Sequence, residues 1–235
     1  MHRFTLLNPI INCEDEPVLV IRKFPKRPYT TEELIGLGVM TPEIADYLSN
    51  AWNKGSLIVC GAPSAGKSTV LNWLKEFIPQ NDKATLIVQE TDELTKYKNR
   101  NTIYLHSIVG NSESEVSYGL DDLTIAGLTL DVGYCIISEI KGKEARYLTN
   151  ASFTGLVCGG TIHSNSADHA LDKIVDYALM GNNVEYTKTE ILEMLDSFKT
   201  IIFMKDFKVA EIDEVVGFDE NTGKIDYKPV YRLNV

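Results

Sequence analysis

The chain has no apolar run long enough to cross a bilayer, and its N-terminus lacks the order of a signal peptide. Both absences point to a soluble, cytoplasmic protein whose association with a membrane is peripheral and made through partners. A cationic surplus is missing too. Against 33 Asp and Glu stand 23 Lys and Arg, a net charge of −10. Non-specific nucleic-acid binding needs a cationic face, so no direct nucleic-acid partner is expected. Cysteine is sparse: Cys13, Cys60, Cys135 and Cys158 form no C-x-x-C pair, which argues against a metal or redox motif. Cys60 and Cys135 lie in apolar runs and are expected to be reduced core residues. Repeats and low-complexity segments are also absent, which leaves a globular chain of 235 residues. That length suits one large domain, or one domain with a small appendage.

What is present centres on Gly61-Ala62-Pro63-Ser64-Ala65-Gly66-Lys67-Ser68, which has the G-x-x-x-x-G-K-[ST] form of a phosphate-binding loop. Leu57-Ile58-Val59-Cys60 before it reads as a buried strand. Thr69 to Ile78 after it reads as a helix stopped by Pro79. In that setting glycines let the backbone close around a phosphate, and loop amides and the helix N-terminus point at the anion. Lys67 is then expected on the β/γ-phosphates and Ser68 on Mg²⁺.

Residues 1–24 read as two strands, and a hairpin of that size cannot make its own core. Pro25-Lys26-Arg27-Pro28 is a stiff, basic linker and the expected boundary, dividing the chain into 1–29 and 30–235. Thr30 with Glu33 forms a capping box, and Thr41-Pro42 opens a second helix. Strands are expected at Ala84–Val88, Thr102–Leu105, Cys135–Ile137 and Val157–Ile162, and a polar loop at Gly110–Glu115. Helices are expected at Asp121–Leu130, Gly142–Phe153, Asp168–Met180 and Thr187–Phe198, though Gly127 weakens the first. Thr200–Met204, Val209–Phe218 and Lys224–Leu233 make a β-rich tail. Strands alternating with helices imply an α/β fold: a mostly parallel sheet covered on both faces.

Three further stretches carry chemistry. Ile136-Ile137-Ser138-Glu139 ends a core strand one sheet partner from the loop, where Glu139 can hold a Mg²⁺ water or orient an attacking water. Gln89-Glu90-Thr91-Asp92-Glu93 also follows a core strand, so its side chains are expected at the phosphate edge, with Glu90 and Glu93 as candidates for the metal shell. His163, in Thr161-Ile162-His163-Ser164-Asn165-Ser166, ends a strand and can sense a terminal phosphate, although a lone His is more often structural. Arg22, Lys26 and Arg27 are either a solvated linker or the source of an arginine finger reaching across a domain or subunit boundary.

These stations, in this order, resemble the ATPases of type II and type IV secretion, pili and conjugation, and most closely the branch that assembles tight-adherence (Tad) pili. The residues that carry the resemblance are Ile21–Lys26, Leu34–Gly38, the loop Gly61–Ser68, Glu93-Leu94, Glu139–Ala145, Thr161–Ser166 and Glu211–Gly217. It implies a RecA-like P-loop core, a small N-terminal domain, a homohexameric ring and a partner platform at the inner membrane. Mg²⁺ and ATP are the implied cofactors. Lys67 and Ser68 would hold phosphate and metal, Glu139 would be the catalytic glutamate and a metal residue, and His163 would sense the γ-phosphate. Several positions depart from the pattern: Gln89 replaces a Glu, Ser138 a Gly, Lys141 an Arg and Leu156 a His, and Ile125 to Tyr134 contains no arginine. Residues 1–24 match only the last strands of the N-terminal domain, as a truncated chain or one completed by a partner would. Two rival readings stay open: a nucleotide-binding ring subunit with little turnover, and a DNA translocase, which the acidic balance opposes.

Overall fold

The structure is a computed structural model that describes residues 2–11, 16–80, 82–97, 101–108, 110, 116–180 and 186–233. Cys13 and, Gly110 apart, the loop expected at 110–115 lie outside the described residues. In chain order the elements are β1 (His2–Leu7), β2 (Val18–Lys23), α1 (Thr31–Gly36), α2 (Pro42–Ser49), β3 (Ser56–Gly61) and α3 (Lys67–Leu74). They continue with β4 (Ala84–Gln89), β5 (Thr102–His106), α4 (Leu120–Leu128), β6 (Val132–Ile140), α5 (Glu144–Phe153) and β7 (Val157–Ile162). The last are α6 (His169–Ala178), α7 (Lys188–Leu195), β8 (Phe198–Lys205), β9 (Lys208–Asp219) and β10 (Lys224–Arg232).

Eight strands form one sheet in the order β10-β9-β8-β3-β7-β6-β4-β5. From β8 to β5 every pairing is parallel; β9 and β10 extend the sheet antiparallel. Each face has its own core. Leu34, Ile44, Leu48, Val70, Leu71 and Leu74, from α1, α2 and α3, cover one. Leu120, Ala145, Leu148, Leu171, Ile174 and Leu195, from α4 to α7, cover the other. Burying a side chain such as Leu or Ile is worth roughly 1.5–3 kcal/mol, so the two apolar faces of the sheet fix the layering. The mostly parallel, doubly covered sheet expected from the sequence is the one observed.

Several boundaries move for identifiable reasons. Thr200–Met204 is not tail: β8 pairs directly with β3 and sits inside the parallel sheet. The α3 helix ends at Leu74 and tightens into a single 3₁₀ turn, Lys75–Phe77, before Pro79. The α7 helix stops at Leu195 because Phe198 is already the first, fully buried residue of β8. Gly127 does belong in α4. A Cβ there would lie 2.4 Å from Leu86 Cδ2, so the missing side chain lets the helix press onto β4. Thr30–Glu33 and Thr41 cap α1 and α2 as expected.

β1 and β2 form a separate two-stranded sheet, with Phe4, Leu6, Leu19 and Ile21 all exposed. At the far edge of the main sheet, β10 carries Pro229 and two register shifts, between Asp226 and Tyr227 and between Pro229 and Tyr231. Among the described residues no helix is long and apolar enough to cross a membrane.

Candidate nucleotide-binding site

The loop Gly61–Ser68 runs from the end of β3 into the first turn of α3. Gly66 has φ 95°, a conformation L side chains rarely adopt, and it serves as the N-cap of α3. Ser64, at the loop's tip, also has positive φ, 60°. Lys67 is buried and folds back, its ammonium donating to the Ala62 carbonyl at 2.8 Å. Burial is the main influence on that ammonium and pushes its pKa down, while Glu139 opposes the shift.

The expected site residues converge. A cleft of 190 Å³ at the carboxyl end of the sheet is walled by Pro63, Ser64, Lys67, Ser68, Glu90, Glu93, Glu139, His163 and Arg22, joined by Arg3, Thr91, Ser138, Lys141 and Thr161. Gly61, Ala62, Ala65, Gly66 and Thr69 complete the loop around it. His163 links the two halves. Its Nδ1 is 3.0 Å from Lys67 Nζ, and its Nε2 is 2.7 Å from Glu139 Oε1. Nδ1 also lies 3.3 Å from the Gly61 carbonyl, but the nearer Lys67 ammonium only donates and the Glu139 carboxylate only accepts, which favours the tautomer with its proton on Nε2.

Glu139 reaches the cleft by a route that differs from the expected one. It does not end its strand: β6 continues to Ile140. Nor is β6 the neighbour of β3, since β7 lies between them, and His163 follows β7. Between β6 and β7, Ile137 pairs with Gly160 and Ile140 with Ile162, so β6 carries one extra residue. Ile137 and Ile140 would face opposite ways in a regular strand, yet both are buried in the same core. That is a β-bulge, and it re-aims the side chains between them, Ser138 and Glu139. Thr161 Oγ1 donates to the Ser138 carbonyl at 2.6 Å and satisfies the bulged backbone. Gly160 leaves room for the turn, because a Cβ there would lie 2.7 Å from the Ile137 carbonyl oxygen.

The acidic stretch divides. Glu90, Thr91 and Glu93 line the cleft, but Gln89 and Asp92 turn to each other. Gln89 is fully buried; its amide donates to Asp92 Oδ1 at 3.1 Å and its carbonyl accepts from the Leu94 N–H at 3.2 Å. A glutamate could not make the first of these bonds while ionised. Lys141 pairs with Glu90 at 2.5 Å, and Glu144 fixes that turn by accepting from the Lys141 and Gly142 amides at 2.6 and 2.8 Å.

Of the three upstream cations, only Arg22 reaches the cleft, 3.3 Å from Glu93. Arg27 is held in a two-pronged pair with Glu33, at 2.6 and 2.7 Å. Arg3 was not singled out from the sequence. It sits directly opposite Arg22 in the hairpin and lines the same cleft. The signal for it was β1–β2 register, which a sequence without a short turn does not reveal. Of the described cysteines, Cys60, Cys135 and Cys158 are free and buried.

The sequence model of the family described as "Type II/IV secretion system protein" matches residues 3–201. The chain belongs to the type II/IV secretion system protein family. It is 29% identical over 208 residues to an uncharacterized protein of Methanocaldococcus jannaschii, covering 86% of this chain and 74% of that one. Two solved structures share the fold: the VirB11 ATPase of the Brucella suis type IV secretion system in complex with sulphate, and the pilus retraction motor PilT with bound ADP. The first has a TM-score of 0.58 at 16% identity, over 98% of this chain and 70% of that one. The second has a TM-score of 0.61 at 17% identity, over 99% of this chain and 64% of that one. The chain therefore spans between about two thirds and three quarters of the length of these relatives.

Proposed function

We propose that this protein is a secretion- or pilus-type motor ATPase that converts ATP and water to ADP and phosphate. The observation that carries the reading is the chain of contacts Lys67–His163–Glu139, which joins a phosphate-loop lysine to a carboxylate across one cleft. A triphosphate on the loop would be gripped by its main-chain amides and by Lys67, which regains a counter-charge there. Glu139, oriented by the His163 N–H, would position the attacking water and receive its proton. Arg3 and Arg22 add weight: like charges directly opposite each other in a hairpin repel, so a pair aimed into a cleft fits an anionic ligand.

The donors also suit Mg²⁺. Ser68 and Glu139 offer hard oxygens at one cleft, the kind Mg²⁺ takes beside phosphate oxygens, with Glu90 and Glu93 near enough to hold its waters. When bound, the ion supplies neutralisation of phosphate charge. Beyond the site, we read 1–29 as the remnant of an N-terminal domain with its linker and 30–235 as the RecA-like ATPase domain. The working form would be a homohexamer at the cytoplasmic face of an inner membrane, acting on platform proteins of a secretion or pilus system. The tight-adherence branch is the one its motifs favour.

A regulatory ring subunit with weak turnover is the second reading, favoured by the lysine at 141, which pairs with Glu90 as a point charge, and by the arginine-free stretch Ile125 to Tyr134. Phosphate release and nucleotide binding by wild type, Lys67→Ala and Glu139→Gln, with mass measured in solution, test both. The motor reading expects Lys67→Ala to lose binding and Glu139→Gln to bind without turnover. Tight ATP binding by the wild type without phosphate release favours the ring subunit. Equal activity in all three overturns the site.

A further inference from the structure

Of the three hollows against the phosphate loop, one lies behind Ala62–Ala65 and shares Phe207, and the other two open onto Lys67 and Ser68. One of these two is the cleft of acids and His163 already described. The other, of 340 Å³, lies on the side of Gly66, Ser68 and Thr69, and its described walls include no acid. Its one aromatic wall among those residues is Phe207. A triphosphate whose terminal group lies between Lys67 and Glu139 must lead its α-phosphate and nucleoside out the other way. That path passes the Ser68 and Thr69 backbone into the hollow of 340 Å³.

Phe207 is there for no reason the fold supplies. Lys205 pairs with Lys208, so Asp206-Phe207 is a two-residue hairpin turn between β8 and β9. Both residues have positive φ, 49° and 62°, where such turns favour Asn and Gly. The phenylalanine is 65% exposed, so it adds little to either core. Yet it is held against the loop. A Cβ on Gly66 would meet Phe207 Cδ1 at 3.6 Å, and β8, which carries the turn, is the direct neighbour of β3. The result is a large flat ring, open to solvent, anchored to rigid strands beside the exit of the phosphate site.

We infer that Phe207 is the stacking surface for the base of the bound nucleotide, an inference that rests on the nucleotide reading above. Every base has a π-face, so the contact strengthens binding without selecting adenine over guanine. The test compares Kd for ADP, GDP and inorganic tripolyphosphate in wild type, Phe207→Ala, Phe207→Leu and Phe207→Trp. Loss of the ring is expected to weaken ADP and GDP alike by roughly tenfold to a hundredfold. Tripolyphosphate should stay within about twofold of wild type, since its contacts are to the loop alone. Phe207→Trp should keep ADP affinity, and its added fluorescence should respond to ADP and not to tripolyphosphate. Unchanged ADP binding by Phe207→Ala overturns the inference. So does an equal loss of ADP and tripolyphosphate, which would make the ring a support for the loop. A wild type that binds neither ligand overturns the nucleotide reading itself, and the inference with it.

Discussion

Thr161 Oγ1 donates a 2.6 Å hydrogen bond to the Ser138 carbonyl, across the one irregular point in the pairing of β6 with β7. The bond holds the bulge that turns Glu139 toward His163. Thr161→Val keeps the shape and removes the donor, leaving a buried carbonyl unsatisfied. We expect a stability loss of about 1–2 kcal/mol in urea unfolding. On the proposed function, phosphate release should fall at least about tenfold with nucleotide affinity near wild type, because misplacing Glu139 would lower rate more than binding. Normal turnover in a variant destabilised by that amount would separate the bulge from catalysis.

Gly160→Ala attacks the same point from the other side. The new Cβ would lie 2.7 Å from the Ile137 carbonyl oxygen and 2.9 Å from Ile140 Cδ1, and backbone cannot yield as a side chain can. Overpacking of this kind costs about 1–3 kcal/mol. A lowered midpoint in thermal unfolding is the expected outcome, and an unchanged midpoint would mean that β6 has slack there.

Gln89→Glu installs the residue that the sequence resemblance implies at this position and should nonetheless harm the protein. The introduced carboxylate would be buried beside Asp92, whose oxygen now accepts the Gln89 amide proton. Burial and a like charge both raise an acid's pKa, so the variant is expected to be destabilised by roughly 1–3 kcal/mol at pH 7. A raised folded pKa means that the deficit shrinks as pH falls below the new group's value and its carboxyl takes up a proton. Unfolding at pH 7 and pH 5 tests this. A gain in phosphate release would instead return position 89 to the chemistry.

Glu214 on β9 gives a pH dependence of the opposite sign. It accepts from Lys54 at 2.6 Å and Tyr47 at 2.7 Å, tying α2 and its following turn to the sheet. Lys54 first, then Tyr47, hold its carboxyl at about 2 against an ordinary 4.5. A depressed pKa stabilises above 4.5 and is lost as pH falls toward 2. Glu214→Gln should cost about 1 kcal/mol at pH 7, since the group is partly exposed and screened. The two proteins should converge on acidification through that window, and a gap that stays constant with pH would refute the link.

Most strands and both cap motifs near the start of the core were legible because apolar runs and cap residues are local signals. The convergence of Lys67, Ser68, Glu90, Glu93, Glu139 and His163 on one cleft was also legible, since strand ends in a parallel sheet share an edge, whereas Arg22 comes from the separate hairpin and its sequence left a solvated linker equally open. What escaped was non-local. A one-residue bulge leaves no trace in composition, so Ser138-Glu139 reads as a strand end. Gly127 reads as a weakness until Leu86 is seen against it. The Asp206-Phe207 turn has neither Gly nor Asn to announce it. Arg3 needed its partner strand to acquire a direction.

The outer strand of the large sheet bears on how copies of this protein can meet. Pro229 has no N–H to offer, and the two shifts in β10 break the even spacing that a docking strand would need. Both features work against growth of the sheet from one molecule into the next along that border. An assembly built on this side is then expected to join side chain to side chain, through surfaces that can slide or part without tearing a ladder of backbone bonds.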